Sequence, residues 1–120
     1  MITKEVIDNA LSAHVQWKKK LQEVLDTGKS EFKVSIVKKD DQCQFGQWLK
    51  NLSEQEKKSP EYGRVSELHA QFHLAAAEIL DLALKGKKEE AQKKLQLGGG
   101  YGQISGKLVL ALQTWRNKLI

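Results

Sequence analysis

The sequence predicts an all-α fold, a four-helix bundle with a short extra helix that carries the chain's one cysteine. Several long segments place apolar residues at helical spacing, and the composition is rich in Ala, Leu, Lys, Glu and Gln, with one proline in 120 residues. A chain of this length has room for one buried core rather than two. We therefore expect residues 1–120 to form a single domain.

The first predicted helix runs from Thr3 to about Thr27. Thr3 is suited to be its N-cap, and Gly28 is suited to end it. His14 lies on the apolar stripe of this helix, so its side chain is predicted to point inward. The apolar residues that define the stripe are Ile7, Leu11, Leu21 and Leu25.

A short helix is predicted in the second quarter of the chain. Residues 29–40 are polar and alternate weakly, which predicts an ordered connection or a short extended piece. Asp40 or Asp41 is placed to cap a helix from about Gln42 to Leu52. Cys43 would then lie at the start of that helix, where the helix dipole favours a thiolate.

The strongest helix signal is the run Ser59-Pro60-Glu61, which combines an N-cap hydroxyl, a proline in the first turn and an acidic residue. The helix is predicted to continue to about Leu84 and to end at Gly86. Its apolar face includes His69 and His73. Both imidazoles are therefore predicted to be buried.

The last segment, Lys87 to Lys118, has helical periodicity that several glycines interrupt. Each interior glycine costs about 1 kcal/mol relative to alanine. We expect a kink, a break or a close helix contact at Gly98-Gly99-Gly100, and near Gly102 and Gly106. The segment is not a phosphate loop, because no strand precedes it and the residue after Gly106-Lys107 is not Ser or Thr.

Charge and hydropathy limit the classes of partner. The net charge is +5 and the pI is near 9.3, but the lysines are scattered and mostly have acidic neighbours. This pattern favours solvated helix faces over a nucleic-acid surface. No apolar run approaches the about 20 residues that span a bilayer. The first residues contain no continuous apolar stretch of the kind found in secretory signals, so we do not expect one. We expect a cytoplasmic protein without a membrane span.

The chemistry of the sequence is concentrated in three histidines and the one cysteine. His69 and His73 are one helical turn apart, so both can reach one ion, and His14 and Cys43 come from two other segments. Imidazole nitrogen and thiolate sulfur are the ligands that zinc prefers in tetrahedral sites. The pattern predicts a closed His3Cys zinc site with a structural or sensing role, and not an enzyme. Alone, an inward histidine or a buried cysteine is more often ordinary core.

Three other functions remain as alternatives. A haemerythrin-like di-iron bundle would bind oxygen, but it needs about five histidines together with carboxylates, and this chain has three histidines. A metal-dependent hydrolase needs an open coordination position, which a fourth ligand would occupy. A nucleic-acid-binding bundle would show DNA affinity that falls steeply with salt.

The same residues resemble the chemoreceptor zinc-binding (CZB) domain family. Its pattern is His-x-x-aromatic, then Cys-x-apolar-Gly-x-apolar, then His-x-x-x-His, and all eight signature positions are filled. The resemblance extends over nearly the whole chain. The motifs stand at His14-Val15-Gln16-Trp17, Cys43-Gln44-Phe45-Gly46-Gln47-Trp48 and His69-Ala70-Gln71-Phe72-His73.

The resemblance implies that the zinc ligands are His14, Cys43, His69 and His73. It also implies a regulatory bundle, often a homodimer, attached to a chemoreceptor signalling region or a diguanylate cyclase. In such proteins zinc, or oxidation of the ligating cysteine by hypochlorous acid, changes the output.

Two further expectations concern the surroundings of the site. Trp17 and Trp48 are candidates to shield it from water. The carboxylates of Asp40, Asp41 and Glu67 are candidates to hold the ligating imidazoles, although helix capping or solvation explains each of them as well.

Overall fold

The computed structural model describes residues 3–29, 33–39, 43–96 and 99–118. Most of these residues are in helices. No strand occurs within these ranges. The predicted all-α fold is confirmed. In chain order the elements are α1 (Lys4–Thr27), α2 (Val34–Val37), α3 (Gln44–Lys50), a 3-10 turn (Glu56–Lys58), α4 (Pro60–Leu84), α5 (Lys88–Leu95) and α6 (Gly100–Lys118).

The starts of the two longest helices are those that the sequence predicts. The Thr3 hydroxyl accepts the N–H of Val6 at 3.3 Å, and the Ser59 hydroxyl accepts the N–H of Tyr62 at 3.2 Å. Such caps satisfy N–H groups that have no partner within the helix. α1 ends at Gly28, whose φ of 72° is the left-handed conformation that favours glycine.

Helices α1, α4, α5 and α6 form the bundle around one apolar core. α6 runs antiparallel to α1 and α4, since its last turns reach the first turns of both through the ion pairs Arg116–Asp8 and Lys118–Glu61. Gln22 and Gln92 exchange amide hydrogen bonds between α1 and α5 at the other end. The fully buried residues of the core include Ile7, Leu21, Phe72, Ile79, Leu80, Leu108 and Leu112.

The second quarter of the chain differs in two details from the predictions. Residues 29–40 were expected to form an ordered connection or a short extended piece, and the extended alternative is wrong, because the connection contains α2, one helical turn in which the N–H of Lys38 donates to the carbonyl of Val34 at 3.0 Å. Burial of Val37 against the bundle outweighs the weak alternation of the sequence. The N-cap of α3 is Cys43 itself, so the helix begins at Gln44. The predicted caps Asp40 and Asp41 lie outside the described residues.

The glycine-rich segment divides the last predicted helix into two, as expected. α5 ends at Leu95 and α6 begins at Gly100. A Cβ on Gly99 would overlap the backbone of Lys93 and Lys94, so this close approach requires glycine. In contrast, Gly106 lies within α6 without breaking it.

The structure bears on the expectation that the chain has no membrane-spanning helix. Within the described ranges, no helix combines the length and the apolar character that crossing a bilayer requires.

Candidate metal centre

Three histidines from two helices meet inside the bundle. His14 comes from α1, and His69 and His73 come from consecutive turns of α4. Their exposed fractions are 3%, 1% and 3%, and one ring nitrogen of each lies within 4.8 Å of the others. The helix spacing predicted the pair on α4, and the packing of α1 against α4 adds the third imidazole.

The closest contact in this group joins the two Nε2 atoms of His69 and His73, which lie 3.1 Å apart. Tetrahedral zinc, with Zn–N bonds of about 2.0–2.1 Å, separates two ligating nitrogens by about 3.4 Å. The observed separation is therefore close to that of two ligands of one ion. It also suits a single N–H···N hydrogen bond, in which one ring donates and the other accepts.

Backbone carbonyls set the orientation of two of the imidazoles. Nδ1 of His14 donates to the carbonyl of Ala10 at 2.6 Å, and Nδ1 of His73 donates to the carbonyl of Val37 at 2.9 Å. Because a carbonyl only accepts, both rings carry their proton on Nδ1 when neutral, which leaves a lone pair on Nε2. This is the arrangement that outer partners impose on ligating histidines.

For His14 and His73, these carbonyls take the role for which carboxylates were candidates. Glu67 instead accepts a hydrogen bond from Gln71 on the exposed face of α4. Asp40 and Asp41 lie outside the described residues. The partner of His14 could have been found from sequence, because Ala10 is one turn earlier on the same helix. The carbonyl of Val37 could not, because it comes from a connection 36 residues away.

Cys43 brings sulfur to the edge of the group. Its Sγ lies 3.3 Å from Nε2 of His69 and accepts the N–H of Gly46 at 3.3 Å. In a tetrahedral zinc site, a thiolate and an imidazole nitrogen are about 3.6 Å apart. The sulfur meets this spacing for His69, but it does not belong to the mutually spaced group of three histidines. The backbone N–H favours the thiolate form.

Burial keeps the imidazoles of His14 and His69 in the neutral form that binds metals. The pKa of His14 is lowered, because burial outweighs the opposing effect of the Ala10 carbonyl. The pKa of His69 is lowered to about 3, mainly by burial and further by His73 and His14. Neutral imidazole offers a lone pair, whereas imidazolium does not.

Two phenylalanines enclose the imidazoles. The ring of Phe45 lies 5.1 Å from that of His69 and 5.8 Å from that of His14, edge-on to both. The ring of Phe72 lies 4.8 Å from that of His14. These contacts exclude water from the group and hold the rings in place.

The two tryptophans that are candidates to shield the site lie in different surroundings. Trp48 stacks on the outer side of Phe45 at 5.5 Å and also packs against Trp115 at 5.9 Å. It therefore forms a second layer. Trp17 is half-buried, with Lys20 over its ring at 5.4 Å. Phe45 follows Cys43 by two residues, so the cysteine motif contained the signal for the inner wall.

The donor set fits zinc. Three neutral imidazole nitrogens and one sulfur match the ligand preference of this ion, whereas magnesium and calcium require oxygen ligands. Among the described residues, the group contains histidines without a carboxylate. His14, His69 and His73 would hold the ion from within the bundle, and Cys43 would complete a tetrahedron from α3.

A helical bundle with this group in its interior defines a metal-binding helical domain. The family model of the chemoreceptor zinc-binding domain matches residues 14–80, more than half of the chain, including all four candidate ligands. The chain belongs to this family, whose members are zinc-binding domains of signalling proteins, sensory rather than catalytic. Neither a curated protein nor a solved structure matches the chain.

Proposed function

We propose that this chain is a regulatory zinc-binding domain with His14, Cys43, His69 and His73 as the ligands of one ion. The observation that carries the proposal is the meeting of three buried imidazole nitrogens within 4.8 Å, with the Cys43 sulfur 3.3 Å from one of them. One bound cation would accept the lone pairs of the three imidazoles and of the sulfur at once.

The ligand set favours regulation over catalysis. Four protein ligands fill a tetrahedral shell, so a substrate has no position on the ion. A hydrolase is therefore disfavoured. A di-iron centre is disfavoured as well, since the chain has three histidines in total and the described group lacks a carboxylate.

Metal content per chain tests the ligand assignment. Purified protein should contain one zinc, and Cys43→Ala and His73→Ala should each lower the zinc content sharply. Gln47→Ala is the matched control, because Gln47 lies on α3 with its side chain exposed. Zinc-free wild type from zinc-replete growth, never exposed to a chelator, would refute the proposal.

We further propose that Cys43 reports oxidation. Hypochlorous acid would transfer chlorine to the thiolate sulfur and release hydroxide. Water would then replace the chlorine as chloride, leaving sulfenic acid and a proton. The sulfur loses two electrons in total, and the chlorine of the oxidant gains them. A sulfenic acid is a poorer ligand than a thiolate, so zinc binding weakens.

The position of Cys43 supports this role. As the N-cap of α3, it joins a seven-residue helix to the histidines of the bundle. Phe45 and Leu49 are the buried side chains that anchor this short helix to the core. A change in the bond at Cys43 therefore acts on an element with few other attachments.

The expected result is zinc release together with oxidation of Cys43. A colorimetric indicator measures the released zinc, and mass spectrometry measures the oxidation of Cys43. One equivalent of hypochlorous acid should release zinc from the wild type. Retention of zinc by chains with fully oxidised Cys43 would refute the reporter role while leaving the zinc site intact.

The output of the domain is also part of the proposal. We expect a cytoplasmic homodimer that passes the change in α3 to an attached signalling region, either of a chemoreceptor or of a diguanylate cyclase. Sedimentation equilibrium with and without zinc tests the dimer. A monomer at all concentrations up to those used for signalling assays would refute it.

A further inference from the structure

A cleft of about 310 Å³ lies between α1 and α3, beside the metal centre. Its lining is mainly apolar, with two amide side chains among the residues. The lining residues are Val6, Asn9, Ala10, Ala13, Gln44, Phe45 and Trp48.

The cleft is separated from the imidazoles by the thickness of one aromatic ring. Phe45 lines the cleft on one side and contacts the rings of His69 and His14 on the other, at 5.1 Å and 5.8 Å between centroids. Ala10 also lines the cleft, and its carbonyl holds Nδ1 of His14.

A second cleft, of about 250 Å³ between α4 and α6, offers a comparison. Its lining includes Tyr101, which packs on Phe72 at 5.3 Å, and Phe72 in turn contacts His14 at 4.8 Å. The ring contacts that lead from this cleft to the metal centre therefore pass through two buried rings, whereas those from the α1–α3 cleft pass through Phe45 alone.

We propose that the α1–α3 cleft is the route by which zinc ions and small chelators reach the metal centre, with the Phe45 ring as its inner gate. The inference rests on the proposed zinc site. Phe45 has no atom that binds zinc, so it is a positioning residue. Displacement of its ring from the imidazoles opens a path between them and the cleft, and its stacking on Trp48 at 5.5 Å opposes that displacement.

A gate has a kinetic signature that a ligand does not share. A gate changes the height of the energy barrier between the zinc-bound and zinc-free states, but it does not change the free energy of either state. Association and dissociation rates then change by the same factor, and the dissociation constant stays constant. A residue that affects ligand geometry changes the dissociation constant instead.

The test uses stopped-flow measurement of zinc uptake by the zinc-free chain and of zinc loss to excess EDTA. Ala13→Phe places a ring in the cleft at an exposed position of α1, and we expect both rates to fall about tenfold. Phe45→Leu removes the aromatic gate, and both rates should rise. Leu74→Phe, in the α4–α6 cleft, is the matched control and should change neither rate.

The outcomes separate this inference from the zinc site itself. A wild type that binds no zinc refutes the proposed function. Zinc binding with rates that Ala13→Phe leaves unchanged refutes the route, since the ion then enters elsewhere, for example on the Cys43 side. If Phe45→Leu changes only one of the two rates, and with it the dissociation constant for zinc, the proposal that Phe45 is a gate is also refuted. Because Ala13 is exposed, its variant tests the route even where Phe45→Leu fails to fold.

Discussion

Nε2 of His69 lies 3.1 Å from Nε2 of His73, with both rings buried in the bundle. Nδ1 of His73 is already engaged by the Val37 carbonyl, so the lone pair on its Nε2 faces the neighbouring ring. A cation between the rings would bind both lone pairs. The stability of the domain should therefore depend on metal.

Zinc should raise the free energy of unfolding. At free zinc 100-fold above the dissociation constant, binding to the native state alone adds about 2.7 kcal/mol. Urea unfolding of the wild type with zinc and with EDTA measures the difference. His73→Leu is the control, because it fills similar space without a ligand atom, and its stability should not respond to zinc. An equal response in this variant would contradict the assignment.

Zinc should also protect two backbone segments from hydrogen exchange. His73 is bonded to the carbonyl of Val37, so fixing its ring stabilises α2, and binding of Cys43 stabilises α3. Exchange followed by mass spectrometry should slow in peptides covering residues 34–38 and 44–50 when zinc is added. Peptides covering α5, at the other end of the bundle, are the internal control. Equal slowing everywhere would indicate global stabilisation instead.

Two glycines of the last segment should respond oppositely to alanine. Gly99→Ala places a Cβ against the backbone of Lys93 and Lys94, and overpacking of this kind costs about 1–3 kcal/mol. Gly106→Ala meets no neighbour within 4 Å inside α6, and should gain about 0.5–1 kcal/mol from helix propensity. Thermal and urea unfolding of both variants measures the pair. A stable Gly99→Ala variant would mean that the turn before α6 is not as close as described.

The buried hydroxyl of Tyr101 has no hydrogen-bond partner among the described residues. Burial also raises the pKa of this side chain, which keeps it neutral. Tyr101→Phe removes a desolvated polar group and should leave the free energy of unfolding unchanged or raise it by about 1 kcal/mol. Tyr62→Phe, at a half-buried position, is the comparison. Destabilisation of Tyr101→Phe by more than about 1 kcal/mol would show that the hydroxyl has a partner.

Helix positions were predictable wherever capping and periodicity agreed. Thr3, Gly28 and the run Ser59-Pro60-Glu61 mark the ends of α1 and α4 in the sequence and in the structure. The break before Gly100 was predictable as well, because consecutive glycines are poor helix formers. α2 was not, since a single turn has little local signal and Val37 is held by tertiary burial.

For the site, the predictable part was the residue types and their faces. His69 and His73 share a helix face at one-turn spacing, and His14 lies on the apolar stripe of α1. The residues that immediately surround the imidazoles were harder to predict from the sequence. The sequence indicates Trp48 as a candidate shield, but in the structure Phe45 occupies the layer next to the imidazoles, with Trp48 stacked behind it.

Local periodicity and residue chemistry suffice to predict an all-α chain, the inward faces of its helices and a set of nitrogen and sulfur donors. Three relationships come instead from the packed fold: the three imidazoles meet within 4.8 Å, the Val37 carbonyl orients His73, and Phe45 stands between a cleft and the histidines. These relationships depend on how distant segments pack, and no local pattern encodes the distance between residues on separate helices.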